Sequence, residues 1–349
     1  MQRALFTKAA LRRKLELSIA ETNPEYKTSL IMGKESQFRL VPYNPPSSTP
    51  DMAVILTFYN PANSVRIFQN LLTVKTQLDR ANIPVFVGEV AHVSQRFCLP
   101  PANNVFQFQT ESYMFYKENL TNVVEKRIPD TFNKILLLDA DIVFEDAEWY
   151  DKVSRDLDRF ECIQPFASAH YLNPNFTVAT SKDSFLRNDR EGHQGFAVAF
   201  QRKWLKMHGL YDYAVVGSGD THLMYALKGR DPAITHRNRA YVDWCNSSSA
   251  QTLSHSFCDL TIYHLPHGLT KNRQYKTRME TIETVLERIK ANCMSDLTVR
   301  NTENGMLDWK PDIREEVNKL MLTYFRSRMD DGTDDDYGSP PISIKSESR

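Results

Sequence analysis

The sequence predicts an α/β fold, a mostly parallel, doubly wound sheet with helices on both faces. Three observations predict it: short apolar runs alternate with stretches of helical spacing, one run is Leu-rich without polar alternation, and turn residues separate the two kinds of segment. Residues 53–60, AVILTFYN, form the first run, and Asn60-Pro61 closes it as expected of a buried strand entering a helix. Val65, Phe68, Leu71, Leu72 and Leu78 then recur at mostly helical spacing, and IPVFVGEV over 83–90 reads as a second strand, completing a βαβ unit. The pattern repeats with VFQFQ from Val105, a helix over 113–127, and KILLLDAD over 134–141, whose apolar run suits a central strand buried on both faces. Trp149, Val153, Leu157 and Phe160 follow at helical intervals, giving a helix that covers the sheet. Later strands are expected at 162–167, 196–200 and 260–264, and later helices at 203–208, 220–227 and 276–289.

With 349 residues, 41% of them hydrophobic, the chain can bury a substantial core. Residues 1–50 read as an extension whose end, PYNPPSSTP, has the composition of a linker. The main domain is expected over 51–270, a helical segment around Trp309 and Tyr324 over 271–330, and a disordered acidic, then Ser/Pro-rich tail over 331–349. Forty-three basic and forty-three acidic residues cancel, so no global field favours nucleic acid, and no cysteine or histidine spacing matches a zinc module. The five cysteines, Cys98, Cys162, Cys245, Cys258 and Cys293, are odd in number and scattered, which fits free thiols in a reducing compartment. No run approaches the ~20 apolar residues of a membrane span. The first fourteen residues, MQRALFTKAALRRK, combine five basic residues with Leu and Phe; they read as a solvated helix in preference to a weak peripheral contact with an anionic membrane. The N-x-S/T triplets at Asn119, Asn175 and Asn246 matter only for a secreted chain and carry no weight.

Three constellations can carry chemistry. Asp139-Ala140-Asp141 stands where the Leu-rich strand ends, and ligands of open parallel sheets bind outside the carboxyl ends of strands. Two carboxylates there can reach a hard divalent cation, although an isolated D-x-D is more often a solvated turn or a helix cap. His264-Leu265-Pro266-His267-Gly268 also follows an apolar strand, with Lys271, Arg273 and Arg278 after it. Imidazole can complete a Mn²⁺ shell while guanidinium groups neutralise phosphate. The third is Gly192-His193-Gln194-Gly195 with Val216-Gly217-Ser218-Gly219-Asp220, where glycine permits close backbone approach and Asp220 enters at a helix start, as cap or as base.

Taken in order, VILTFYNP, KENLTNVVEKRIPDTFNKILLLDADIVF, GHQGFAVAFQRKWLKMHGLYDYAVVGSGD, YHLPHGLTKNRQYKTR and YFRSRMDDG resemble the glycosyltransferase family 2-like proteins of the GT-A superfamily, with a galactosyltransferase-like C-terminal region. The resemblance spans roughly residues 50–330. It implies a GT-A (nucleotide-diphospho-sugar transferase) fold, Mn²⁺ or Mg²⁺ as cofactor, and a nucleotide-sugar donor, UDP-sugar by preference. Thr57, Phe58 and Asn60 then resemble the loop that holds base and ribose, with Glu89 as a base contact; Lys117, Asp139, Arg273 and Arg278 fall on the donor side. Asp139 and Asp141 match the D-x-D, and His264 or His267 resembles the third metal ligand. His193, Gln194, Gly195 and Gly219 resemble the pocket for donor sugar or acceptor. Asp220 aligns with the general base of inverting relatives, many of which have Glu-Asp where this chain has Gly219-Asp220.

The reaction implied is transfer of a sugar to an acceptor hydroxyl with inversion; a retaining transferase, or a non-catalytic carbohydrate- or nucleotide-binding module, shares the fold. A nucleotidyltransferase fits less well, because VILTFYNP lacks the Gly-rich, basic phosphate loop. The acceptor, whether glycan, protein, lipid or small molecule, is not legible. The expected partners are therefore a nucleotide sugar and this acceptor, with no nucleic acid. The expected setting is cytoplasmic, a host cytoplasm for a viral chain.

Overall fold

The computed structural model describes residues 38–230, 239–273 and 277–332. The basic stretch 1–14 and nearly all of the acidic tail lie outside the described residues. In chain order the elements are β1 (Met52–Tyr59), α1 (Val65–Arg80), β2 (Val85–His92), β3 (Val105–Thr110), α2 (Lys117–Glu125), β4 (Lys134–Leu138), β5 (Ile142–Phe144) and α3 (Trp149–Leu157). Next come β6 (Cys162–Gln164), β7 (Ser168–Leu172), β8 (Val178–Asp183), β9 (Ala197–Gln201), α4 (Arg202–His208), α5 (Gly219–Leu227), α6 (Arg239–Ser248), β10 (His255–Phe257) and β11 (Thr261–His264). The chain continues through α7 (Thr277–Arg288), β12 (Thr298–Arg300), β13 (Leu307–Trp309) and α8 (Arg314–Ser327).

A seven-stranded sheet, ordered β10-β6-β9-β4-β1-β2-β3, forms the centre. β4, β1, β2 and β3 are mutually parallel, as the alternation predicts. Strand side chains alternate between faces, and the two faces bury different sets. Ala53, Ile55, Ile135, Leu137, Val198 and Phe200 pack with α2, α5 and α8, whereas Met52, Val54, Leu56, Leu136, Leu138 and Ala199 pack with α1 and α3. This two-sided burial is why the KILLL run shows no polar alternation.

The structure adds four features that the sequence pattern does not specify. β9 is antiparallel to β4 and β6, because the chain enters it at the carboxyl end of β4, where Asp139 N donates to Phe196 O at 2.8 Å. β11 belongs to a second, four-stranded sheet, β5-β11-β7-β8, rather than to the central one. Residues 38–50 are packed: Phe38 and Tyr43 are buried, and the Tyr43 hydroxyl accepts from Phe144 N at 2.8 Å. Trp309 lies on β13, paired antiparallel with β12, so 271–330 is not purely helical. Its Ile282, Leu286, Trp309, Val317 and Phe325 join the same core as α2. Among the described residues no helix is long and apolar enough to cross a membrane. All five cysteines are free.

Candidate functional site

The carboxyl ends of β1 and β4, the end of β11, the start of α2 and the start of α5 surround one cleft of about 1320 Å³. Its walls include Thr57, Phe58, Asn60, Lys117, Glu118, Asp139, Asp141, His193, Gln194, Gly195, Gly219, Asp220, His264, His267 and Arg273. Most of the residues singled out from sequence therefore share one space.

β4 ends at Leu138, and Ile142 N donates to Asp139 O at 3.2 Å, so the D-x-D occupies the turn into β5. β5 pairs with β11 so that Ile142 faces His264, and Leu265 N donates to Asp141 O at 2.8 Å. That register sets both histidines beside the second aspartate. Asp141 Oδ2 is 2.8 Å from His267 Nε2 and 3.6 Å from His264 Nε2. One ligand atom from each of the three lies within 4.8 Å of the others. Burial raises the Asp141 carboxyl, but His264, His267 and Arg273 outweigh it and hold it well below the usual carboxylate range. Burial drives His264 down to about 3, which keeps its ring neutral and its lone pair available. Asp141 Oδ1 is buried and has no hydrogen-bond partner among the described residues. A buried carboxylate oxygen left without a partner is costly, and a cation on this O/N/N group would satisfy it.

Asp139, expected to hold the ribose or the metal, lies outside that group. Its Oδ1 is 2.6 Å from Lys117 Nζ, which also contacts Asp220 Oδ1 at 2.8 Å. Burial lowers the Lys117 ammonium, and Asp139 and Asp220 more than reverse this, raising it well above its usual range. Burial lifts the Asp139 carboxyl to about 6, helped by Asp220 and Asp141 and opposed by Lys117.

Asp220 sits in the first turn of α5, after Ser218, which holds the left-handed φ of 73°, and Gly217 at 96°. Phe196, on the facing loop, is also left-handed at 80°. Non-glycine residues in this region cost about 1–3 kcal/mol each and cluster at functional sites. Two glycines are fixed by close approach: a Cβ on Gly195 would stand 2.3 Å from Asp220 Oδ2, and one on Gly219 would stand 2.0 Å from Glu118 Oε1. The Gly-Asp pair thus leaves room for a carboxyl arriving from α2. Glu118 is buried, and burial together with the Asp220 charge lifts it to about 8.

His193 stacks on Phe196 with ring centroids 3.8 Å apart, and its Nδ1 accepts from Gly195 N at 3.0 Å. Gln164 Nε2 supports this loop by donating to His193 O at 3.0 Å and Gln194 O at 3.3 Å. Arg273 places a guanidinium nitrogen 2.9 Å from His267 Nε2.

Two residues expected on the donor side are hydrogen-bonded within the protein. Glu89 does not line the cleft: it is 1% exposed, and its oxygens accept from Cys98 N, from Leu99 N at 3.2 Å and from Gln107 Nε2 at 2.8 Å. It staples the loop after β2. The Asn60 side chain is occupied too, bonding both the N–H and the carbonyl of Ser64 at 2.8 Å, so it shapes the first-strand loop from within. Arg278 falls on α7, but its side chain lies outside the described residues. Sequence reading assigned no role to Glu118, Gln164 or Asp330. The first two lie beside residues that were singled out yet act across the fold, and Asp330 stands 63 positions from the His267 Nδ1 that its Oδ1 meets at 3.2 Å.

Fold and site define a mixed α/β protein with an aspartate–histidine group at strand ends that could hold a metal ion and a lysine-bridged carboxylate pair beside it. No family model matches the chain. No curated protein matches it. Among solved structures it is similar to the catalytic domain of Drosophila beta1,4galactosyltransferase 7 in complex with xylobiose, at 13% identity over 77% of this chain and 98% of that one, with a TM-score of 0.36. Similar too are glucosyl-3-phosphoglycerate synthase from Mycobacterium tuberculosis with Mg²⁺ and uridine-diphosphate (9%, 77% and 94%, TM-score 0.35) and 4-diphosphocytidyl-2C-methyl-D-erythritol synthase from Anaerococcus prevotii (10%, 68% and 98%, TM-score 0.32).

Proposed function

We propose that the protein is a metal-dependent glycosyltransferase of GT-A type, moving a sugar from a nucleotide-diphosphate donor, UDP-sugar by preference, to an acceptor hydroxyl with inversion. The observation that carries this reading is the Asp141–His264–His267 group with its unpartnered buried Asp141 Oδ1, across one cleft from Asp220. One carboxylate and two imidazoles suit Mn²⁺ better than Mg²⁺, and three protein ligands leave positions for diphosphate oxygens. A cation held there would supply charge stabilisation for the departing diphosphate.

The chain's own groups do the rest. Thr57 and Phe58 line the wall where the nucleotide would lie, and Arg273 adds positive charge near the diphosphate. Lys117 fixes Asp220 by its Oδ1, and Oδ2, against Gly195, is the atom assigned to take the acceptor's proton as the hydroxyl attacks the anomeric carbon. The His193–Phe196 stack provides a flat surface for a sugar face. Calorimetric titration with UDP and GDP, each with and without Mn²⁺, against the parent and Asp141→Ala tests the reading. One nucleotide should bind, only with metal and only to the parent. Failure of both nucleotides under every condition overturns it.

A further inference from the structure

We propose that residues 328–331, immediately after α8, form a C-terminal clasp in which Asp330 is a positioning residue for the metal ligand His267. The inference rests on the metal-site reading above. α8 docks beside the histidine loop, where the Tyr324 hydroxyl donates to Arg273 O at 2.9 Å and Asn272 Nδ2 donates to Arg328 O at 3.3 Å. The two backbones then nearly touch. Gly268, at a left-handed φ of 55°, is so close that a Cβ there would stand 3.0 Å from Arg328 O and 3.1 Å from Met329 O.

Two adjacent carboxylates leave this segment in different directions. Asp331 Oδ1 accepts from the Ser64 hydroxyl at 2.7 Å and from Arg66 N at 2.8 Å, capping α1 and tying the clasp to the first-strand loop. Asp330, 6% exposed, places Oδ1 3.2 Å from His267 Nδ1 and 3.1 Å from an Arg328 guanidinium nitrogen. A carboxylate 3.2 Å from Nδ1 holds the ring by that edge and leaves Nε2 on the side of Asp141, 2.8 Å away. Asp330 thus orients the ring. The competing role is structural, Asp330 serving only as the partner of Arg328.

Mn²⁺ alone is the probe, with free ion followed by electron paramagnetic resonance in titrations of the full chain. Asp330→Ala should bind Mn²⁺ roughly 10- to 100-fold more weakly than the parent. Asp330→Asn, which keeps the shape, should fall between them, and Asp331→Asn should leave Mn²⁺ affinity near that of the parent. Arg328→Ala, which removes the competing partner, should leave Mn²⁺ affinity near that of the parent, whereas a purely structural Asp330–Arg328 pair would make it fall as Asp330→Ala does. Parent-like Mn²⁺ affinity in both Asp330 variants, with binding abolished in Asp141→Ala, overturns the clasp and spares the metal site. A parent that holds Mn²⁺ no better than Asp141→Ala fails the metal site itself. That outcome overturns the clasp as well.

Discussion

Glu118 shows how one residue's environment decides its chemistry. Its carboxyl is wedged against Gly219, near Asp220 and Asp139, with Lys117 the nearby cation. Its pKa is lifted to about 8, so between the ordinary carboxylate value of about 4.3 and that point the folded state binds a proton that the unfolded state has lost. Stability from this group is therefore full below the unfolded value and is lost as pH rises through the folded one. Glu118→Gln keeps the shape and removes the titration. Relative to the parent, its stability should increase from about pH 5 to about pH 8.5 and then level off, as read by urea midpoints; a pH-independent difference would show that Glu118 ionises as an exposed carboxylate does. Gly195→Ala is a second test at this scale, since the added methyl meets Asp220 Oδ2 at 2.3 Å. Transfer should fall by about 10²-fold, the scale expected when a base is displaced, with nucleotide affinity retained. Asp141, His264 and His267 were legible in the sequence because each follows an apolar run, where strand ends present ligands. Glu118 and Asp330 were not, because a lone acid at a helix start or after a helix end reads as ordinary solvation, and what makes them special comes from elsewhere in the chain.

At the scale of elements, α2 links the site to the core. Lys117 and Glu118 at its first turn reach the cleft, and Leu120, Val123 and Val124 pack on the sheet. Arg202, 4% exposed at the start of α4, anchors its other end. The guanidinium bonds Glu125 Oε1 at 2.8 Å and the carbonyls of Glu125, Ile128, Pro129 and Phe132 at 2.6–3.0 Å. These are carbonyls left at a helix end and the turn beyond it, satisfied here by one planar group. Arg202→Ala strands the buried Glu125 charge and should cost about 3–5 kcal/mol in urea unfolding; a loss under about 1 kcal/mol would mean that water replaces the guanidinium. β1, α1, β2, β4 and α3 were legible because both faces of the sheet are buried and each helix carries one apolar stripe. β7 and β8 were not, since Val178–Asp183 is mostly exposed and lacks a clear apolar alternation. The direction of β9 was equally hidden, because apolar runs look the same read either way.

For the whole molecule, the site exists only when distant parts of the chain are folded together. The Asp141 turn, the histidine loop and the segment 328–331 span nearly 190 positions from Asp141 to Asp330 and meet in one cleft. In the unfolded chain these groups have no fixed relation, so a cation and nucleotide that need all of them bind the native state alone, and such ligands stabilise by mass action. At a free ligand concentration of 100 times Kd the gain is about 2.7 kcal/mol, which for a chain of this size raises the melting temperature by a few degrees. Mn²⁺ with UDP should therefore shift the parent upward by more than either alone, because the diphosphate supplies ligands that the three side chains leave open. Asp141→Ala removes the group whose Oδ1 lacks a partner together with the Oδ2 contact to His267, and should abolish the Mn²⁺-dependent part of the shift. Differential scanning calorimetry decides the matter. A Mn²⁺ shift that survives in Asp141→Ala would place the cation elsewhere on the molecule.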